Sequence, residues 1–173
     1  MDLNAPQRKF LPHDVPLSIR ADDTVFFLTI CAEPRGENQL CHGELAPRLF
    51  AAVAFYNGCG KWWTHFALLM SDHLHMLVSF PDVVGRARTA VSEKPPYRGK
   101  VGRSPTMAGA VADWKRYTAG EFGVRWQRDF FDRRLRGEEG FRDKEEYIRQ
   151  NPVRAGLVTD ASEWPYVWWP EKR

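Results

Sequence analysis

Residues 71–80, which read SDHLHMLVSF, decide the fold of this chain. The alternation of residue types is typical of a β-strand, in which successive side chains point to opposite faces of the sheet. His73 and His75 therefore share one face, and Leu74, Met76, Val78 and Phe80 share the other. Two imidazoles one residue apart on a strand can bind a metal ion, although an ordinary polar strand face gives the same pattern. The spacing alone leaves both interpretations open.

Three further strands are predicted around this one. Residues 62–70 are aromatic and aliphatic, and the connection at 71–72 is short enough for a hairpin with the histidine strand. Residues 24–31 are rich in β-branched and aromatic residues and end at a proline-glycine turn signal. Residues 124–135 alternate enough to predict a strand.

Three helices complete the predicted order. Residues 44–58 show helical apolar spacing, with Gly58 in the C-cap position. A second helix follows Ser104, as N-cap, and ends at 122–123; a third spans 141–150 and is stopped by the proline at 152. The order strand, helix, strand, strand, helix, strand, helix predicts an α+β fold: a ferredoxin-like (RRM-like) sandwich. Its antiparallel sheet would have helices packed on one face, with the second face available for a ligand.

The composition is that of an ordinary globular domain, with 173 residues and 43% hydrophobic content. No run of eighteen or more apolar residues and no secretory signal is visible, so we expect a cytoplasmic protein. The three cysteines include no Cys-x-x-Cys pair, which argues against a disulfide framework and a zinc ribbon. We expect an extended arm over residues 1–22, one domain over 23–158 and an aromatic tail over 159–173.

Positive charge is concentrated in one part of the chain. Residues 84–136 hold thirteen Lys or Arg against five Asp or Glu, a local charge of +8, whereas the whole chain carries +3. Within this region, residues 84–103 are rich in glycine, proline and basic residues and predict a basic loop. The asymmetry favours a polyanionic partner, although a solvated basic face is the competing interpretation.

Tyr147 and Asn151 are four residues apart, hence one turn apart on the same side of the predicted last helix. Alone, they are also explained as a helix-rim tyrosine and a helix-ending asparagine. If the helix crosses the open sheet face, the amide oxygen and the two imidazoles would form a three-ligand site for a divalent cation. A phenol would then lie beside that site.

Four blocks, in order, resemble those of the single-tyrosine HUH transposases. They are similar above all to the branch called REP-associated tyrosine transposases, which act on repetitive extragenic palindromes in bacterial genomes. The blocks are 70–77 (MSDHLHML), 113–117 (DWKRY), 126–132 (WQRDFFD) and 147–158 (YIRQNPVRAGLV). The chain departs from the family at 71–72, where Pro-Asn is frequent, and in its longer basic loop.

The resemblance implies that His73 and His75 bind Mg²⁺ or Mn²⁺ and that Tyr147 is the nucleophile. Asn151 occupies the position at which many relatives carry a glutamine ligand. The implied reaction cleaves and rejoins DNA at palindromic hairpin elements through a 5′-phosphotyrosine intermediate. The implied partner is single-stranded or hairpin DNA, bound by a nucleoid-associated monomer, with a dimer that exchanges its tyrosine helices as the alternative.

Basic side chains are the candidate DNA contacts, because phosphate neutralisation supplies most of the affinity for DNA. The predicted contacts are Arg86, Arg88, Arg98, Lys100 and Arg103 in the basic loop, and Lys115, Arg116 and Arg128 after it.

Two other functions remain open from the sequence. An open sheet with aromatic and basic residues can bind single-stranded DNA or an RNA hairpin without cutting it. A hydrolase that uses metal-activated water would need a carboxylate near the histidines. Asp72 is the only close one, and as a strand residue it is expected to point to the opposite face.

Overall fold

The computed structural model describes residues 24–81 and 106–170. The predicted arm at 1–22 and the predicted loop at 84–103 lie outside these ranges. The elements in chain order are β1 (Phe26–Cys31), α1 (Leu45–Gly58), β2 (Trp63–Leu69), β3 (His73–Ser79), α2 (Met107–Phe122), β4 (Phe131–Arg134), α3 (Gly137–Arg149), α4 (Asn151–Arg154), a 3₁₀ turn (Ala161–Glu163) and β5 (Val167–Trp168).

The five strands form one antiparallel sheet in the order β4-β1-β3-β2-β5. The first four strands have the ferredoxin-like arrangement that the sequence predicts. In the register between β1 and β3, Thr29 lies opposite His75 and Cys31 lies opposite His73. The histidine strand is therefore central, with paired neighbours on both sides.

One face of the sheet carries the main core, because α1 and α2 cover it. Leu74, Met76 and Val78 of β3 are fully buried in a cluster that also contains Leu49 of α1 and Trp114 of α2. The predicted assignment of these alternating β3 residues to the core face is confirmed.

The opposite face carries a smaller apolar cluster beneath α3. Phe27, Phe66, Leu68 and Leu77 of the sheet pack here, and Ile148 of α3 is fully buried among them. The tyrosine-bearing helix therefore docks on the histidine face, while α1 and α2 occupy the other.

The predicted strand over 124–135 is wrong for its first part, because only Phe131–Arg134 is a strand. Before it, Trp126 makes a single bridge to Ala32. The Trp126 indole donates to the Thr118 hydroxyl at 2.8 Å and its ring lies 5.2 Å from that of Trp114. These contacts pack the Trp126 side chain on α2, while the backbone stays bridged to Ala32, and regular pairing with β1 is confined to Phe131–Arg134.

Some predicted helix ends also differ in detail. Helix α1 ends at Gly58, as predicted, but its C-cap is Cys59, and the left-handed residue that follows is Gly60, at φ +64°. Helix α3 begins at Gly137, four residues before the predicted start, and ends at Arg149. Asn151 begins the short helix α4 instead of ending α3. The described N-cap of α2 is Thr106, whose hydroxyl accepts from the Gly109 N–H; Ser104 lies outside the described residues.

The aromatic tail docks on the sheet, as the sequence leads us to expect. Strand β5 pairs with the edge of β2, and the Trp164 indole donates to the Leu69 carbonyl at 2.8 Å. Trp169 packs on Phe66, with ring centroids 5.2 Å apart. Among the described residues, no helix has the length and apolar character needed to cross a membrane.

Candidate functional site

The two strand histidines converge on one point. Their Nε2 atoms are 3.1 Å apart, and the two rings lie edge to face with centroids 4.6 Å apart. His75 is almost completely buried, whereas part of the His73 side chain is accessible. Alternation along β3 places both rings on the α3 face of the sheet, as predicted.

Each imidazole is held through its other nitrogen. His73 Nδ1 lies 2.6 Å from an oxygen of Asp72, and His75 Nδ1 lies 2.9 Å from the Thr29 hydroxyl. His75 also hydrogen-bonds the backbone of Leu28, which acts to raise its pKa. In the tautomers in which both Nδ1 atoms donate, both Nε2 atoms carry lone pairs directed at the same space. Two lone pairs at this distance repel unless a proton or a cation lies between them.

Burial keeps the pair neutral. It lowers the pKa of His75 to about 3, and the neighbouring His73 acts in the same direction. Burial also lowers the pKa of His73, against an opposing effect of Asp72. Neutral imidazole is the form that binds metals, so the donor pair fits a divalent cation.

The expectation that Asp72 points away from the histidines is wrong. Asp72 precedes β3 instead of belonging to it, and its carboxylate turns toward His73. Its second oxygen accepts from the Gly36 N–H at 2.7 Å and pairs with Arg35 at 3.1 Å. Both oxygens are therefore engaged on the Nδ1 side of His73, where they orient the ring as a carboxylate behind a metal ligand does.

Asn151, the predicted third ligand, lies at the start of α4. Its side-chain Nδ2 is buried and has no hydrogen-bond partner among the described residues, so a polar group is left unsatisfied there. No hydrogen bond joins it to His73 or His75 within the described parts of the chain. Over the same residues, no third His, Cys, Asp or Glu completes a metal-binding group. The assignment of Asn151 as a ligand stays a prediction.

Tyr147 lies beside the histidine pair, separated from it by one aromatic ring. The Phe27 ring centroid is 6.3 Å from that of Tyr147 and 5.2 Å from that of His75. Tyr147 is 42% exposed, whereas the next residue, Ile148, is fully buried. Helix α3 is thus anchored by Ile148 and presents the phenol to solvent at the edge of the site.

Two cations that the sequence analysis did not identify lie against the Tyr147 ring. Lys144 Nζ is 4.3 Å and the Arg154 guanidinium 4.7 Å from its centroid. Burial, Arg133 and Arg154 together lower the pKa of Lys144, so positive charges are close together here. The signal was available for Lys144, because residues three apart share a helix face.

The predicted DNA contacts fall in several places. The five basic loop residues lie outside the described residues. Lys115 belongs to α2, and its ammonium donates to the Arg128 carbonyl at 2.7 Å. Arg116 pairs with Asp113 at 2.9 Å, and Arg128 is exposed. None of these three is brought to the histidine pair by a described contact, and their DNA-binding role stays a prediction.

Comparisons with known proteins support the fold. No family model matches the chain, and no curated protein sequence matches it. A structure described as a REP-associated tyrosine transposase bound to a REP hairpin is 17% identical to this chain, with a TM-score of 0.61. The match covers 91% of this chain and 82% of that protein.

A second structure, from Deinococcus radiodurans R1 and described as a candidate transposase, is 13% identical with a TM-score of 0.43. It covers 73% of this chain and 88% of that protein, and its similarity is too low to carry an argument. On the first comparison, the chain has the fold of a REP-associated tyrosine transposase.

Proposed function

We propose that this protein is a metal-dependent tyrosine transposase that cleaves and rejoins single-stranded DNA at hairpin-forming repeats. The observation that carries the proposal is the convergence of two neutral imidazole nitrogens, 3.1 Å apart, on the face crossed by the Tyr147 helix. The four sequence blocks and the shared fold support the same function.

In the proposed reaction, the Tyr147 oxygen attacks the scissile phosphorus. A bond forms between that oxygen and phosphorus, and the bond from phosphorus to the 3′-oxygen breaks. The phenol proton is lost and the departing 3′-oxygen gains one, which gives a 5′-phosphotyrosine and a free 3′-hydroxyl. Attack by a second 3′-hydroxyl on the phosphotyrosine reverses these steps and rejoins the DNA without ATP.

The side chains of the site have separable roles in this scheme. His73 and His75, oriented by Asp72 and Thr29, would hold Mg²⁺ or Mn²⁺, with Asn151 as the proposed third ligand. When bound, such an ion supplies Lewis-acid stabilisation of charge on the phosphate. Phe27 keeps the phenol at a fixed separation from the imidazoles.

The charge around Tyr147 suits a phosphate diester. Lys144 and Arg154 contact the ring of the nucleophile, and each can bind a phosphate oxygen beside it. Hairpin DNA is the proposed substrate, since the structural relative is described as bound to a REP hairpin. The phenol and the imidazoles come from one chain, which supports action as a monomer.

The test is formation of a covalent adduct. Incubation of the wild-type protein with hairpin DNA bearing single-stranded flanks and Mg²⁺ should attach DNA to one peptide, identified by mass spectrometry as that of Tyr147. The Tyr147→Phe variant should bind the DNA and form no adduct, whereas Tyr166→Phe, changed in the tail, should react normally.

Two outcomes would contradict the proposal. If the wild type binds hairpin DNA and never cuts it, the protein is a non-catalytic nucleic-acid-binding protein on the same sheet fold. If it cuts without forming an adduct, hydrolysis by activated water is the better mechanism.

A further inference from the structure

A cleft of about 490 Å³ lies between the end of β4 and the first turns of α3. A volume of this order is within the range of small-ligand sites. Four of the residues that line it are cationic: Arg133, Arg134, Arg136 and Lys144. The lining also includes the carboxylate of Asp143 and the glycine at position 140.

The cations of the cleft have no acidic partner among the side chains that the structure describes. Arg133, Arg134, Arg136 and Lys144 form none of the ion pairs found among those side chains. Arg133 and Lys144 are close enough for the arginine to disfavour the charge on the lysine. Such a group of like charges is most favourable when an anion binds between them.

Gly140 has no packing reason to be a glycine. It lies inside α3, where glycine costs about 1 kcal/mol relative to alanine. A Cβ at this position would meet no atom within 4 Å. The missing side chain therefore leaves space in the cleft instead of permitting a close contact within the protein.

Lys144 connects the cleft to the nucleophile along one side of α3. Positions 140, 144 and 147 have the spacing of one helix face, and Lys144 both lines the cleft and lies over the Tyr147 ring. A group bound in the cleft is thus a neighbour of whatever reacts at Tyr147.

We infer that this cleft binds one nucleotide of a single DNA strand, adjacent to the phosphate that reacts with Tyr147. Arg133 and Lys144 bind its phosphate, and its base occupies the space that Gly140 leaves open. Asp143 provides an acceptor for an N–H of the base, which a bare phosphate would not use. The position in the reaction rests on the proposed function; the binding itself does not.

Substitution of Gly140 by leucine adds an apolar side chain at the cleft, and its Cβ meets no atom within 4 Å. In the Tyr147→Phe background, which separates binding from cleavage, we expect Gly140→Leu to weaken binding of a fluorescein-labelled oligodeoxycytidine of about twelve nucleotides by about tenfold or more. Thermal stability should be unchanged or higher, because leucine is the better helix former.

The matched control is Gly120→Leu in α2. Gly120 is also a helical glycine with open space at its Cβ, but α2 lies on the opposite side of the sheet. This variant should gain similar stability and bind the oligonucleotide normally.

Arg133→Ala, also in the Tyr147→Phe background, distinguishes a cleft that binds a nucleotide from one that binds only an anion. A nucleotide site loses affinity in both Gly140→Leu and Arg133→Ala, whereas an anion site loses it only in Arg133→Ala. Normal binding by Gly140→Leu would therefore overturn the inference, whatever happens at Tyr147. If Gly140→Leu loses binding and the wild type forms no adduct, the cleft still binds a nucleotide and the proposed reaction at Tyr147 is wrong.

Discussion

The two faces of the sheet are built from the same strands, yet one face carries the main core and the other carries the candidate site. On the α1 and α2 face, Leu74 and Met76 are fully buried in a large apolar cluster. On the α3 face, the residues on either side of Leu74 are His73 and His75, whose Nε2 atoms lie 3.1 Å apart. Neighbouring residues of β3 therefore belong to the main core on one face and to the candidate site on the other.

The α3 face is itself divided. Phe66 and Leu77 form an apolar half that anchors α3 through Ile148, whereas Thr29, His73 and His75 form a polar half at one end. The helix is thus fixed by apolar contacts beside the imidazoles, and part of the His73 side chain stays accessible. The small second core therefore determines where α3 and Tyr147 lie relative to the histidine pair.

The largest effect expected on the polar half is that of His73→Ala. Cleavage of hairpin DNA in Mg²⁺ should fall by about a thousandfold or more, because metal catalysis contributes several kcal/mol. Hairpin affinity, measured by fluorescence anisotropy with EDTA, should change little because phosphate contacts supply most of it. Cleavage at the wild-type rate in ordinary Mg²⁺ would remove the histidine from the reaction.

The neighbouring substitution, Leu74→Ala, tests the other face. It should lower the free energy of unfolding by about 2–5 kcal/mol through lost burial and a cavity. The measurement is urea denaturation followed by tryptophan fluorescence. The folded fraction should still cleave DNA at low temperature; loss of cleavage with unchanged stability would mean that the two faces are not separable.

A smaller effect is expected from Asp72→Asn, which removes the charge behind His73 and retains its shape. Mn²⁺ affinity should fall by about 10–100-fold, the usual consequence of changing the group that orients a metal ligand. Calorimetric titration without DNA measures this independently of activity. The control is Asp113→Asn, whose ion pair with Arg116 lies on α2, and it should bind Mn²⁺ as the wild type does.

The alternating pattern of residues 71–80 was sufficient to predict the strand and its two faces, and the order of strands and helices along the chain predicted the ferredoxin-like fold. Local patterns failed where side chains pack across the sequence. Trp126 lies in an alternating stretch, yet its contacts with Thr118 and Trp114 hold it on α2. Gly58 ends α1 as expected, but the left-handed turn after the helix is made by Gly60 instead of Gly58.

Part of the candidate site was also predictable from the sequence. Spacing predicted which face carries His73 and His75, and the motif resemblance singled out Tyr147. The supporting residues come from distant segments: Thr29 reaches His75 through strand pairing, and Arg154 reaches Tyr147 around the end of α3. Such contacts depend on tertiary structure and leave no periodic signal in the sequence.

The smallest effect expected is the pH dependence of stability that the buried pair creates. Burial lowers the pKa of His75 from its unfolded value near 6.5 to about 3. As pH falls below 6.5, the unfolded chain therefore binds a proton that the folded chain rejects, and stability is lost between pH 6.5 and 3. Each such histidine contributes a slope of about 1 kcal/mol per pH unit.

Urea denaturation in EDTA between pH 7 and 5 measures this slope. His75→Gln should reduce the slope by the contribution of one histidine. Gln retains an amide that can hydrogen-bond Thr29, so the comparison removes the titrating group with a limited change in packing. An equal slope in both proteins would mean that the folded pair already holds a proton between its two Nε2 atoms. In that case the convergence of the rings would be satisfied by the proton, and the argument for a cation at this point would lose its main support.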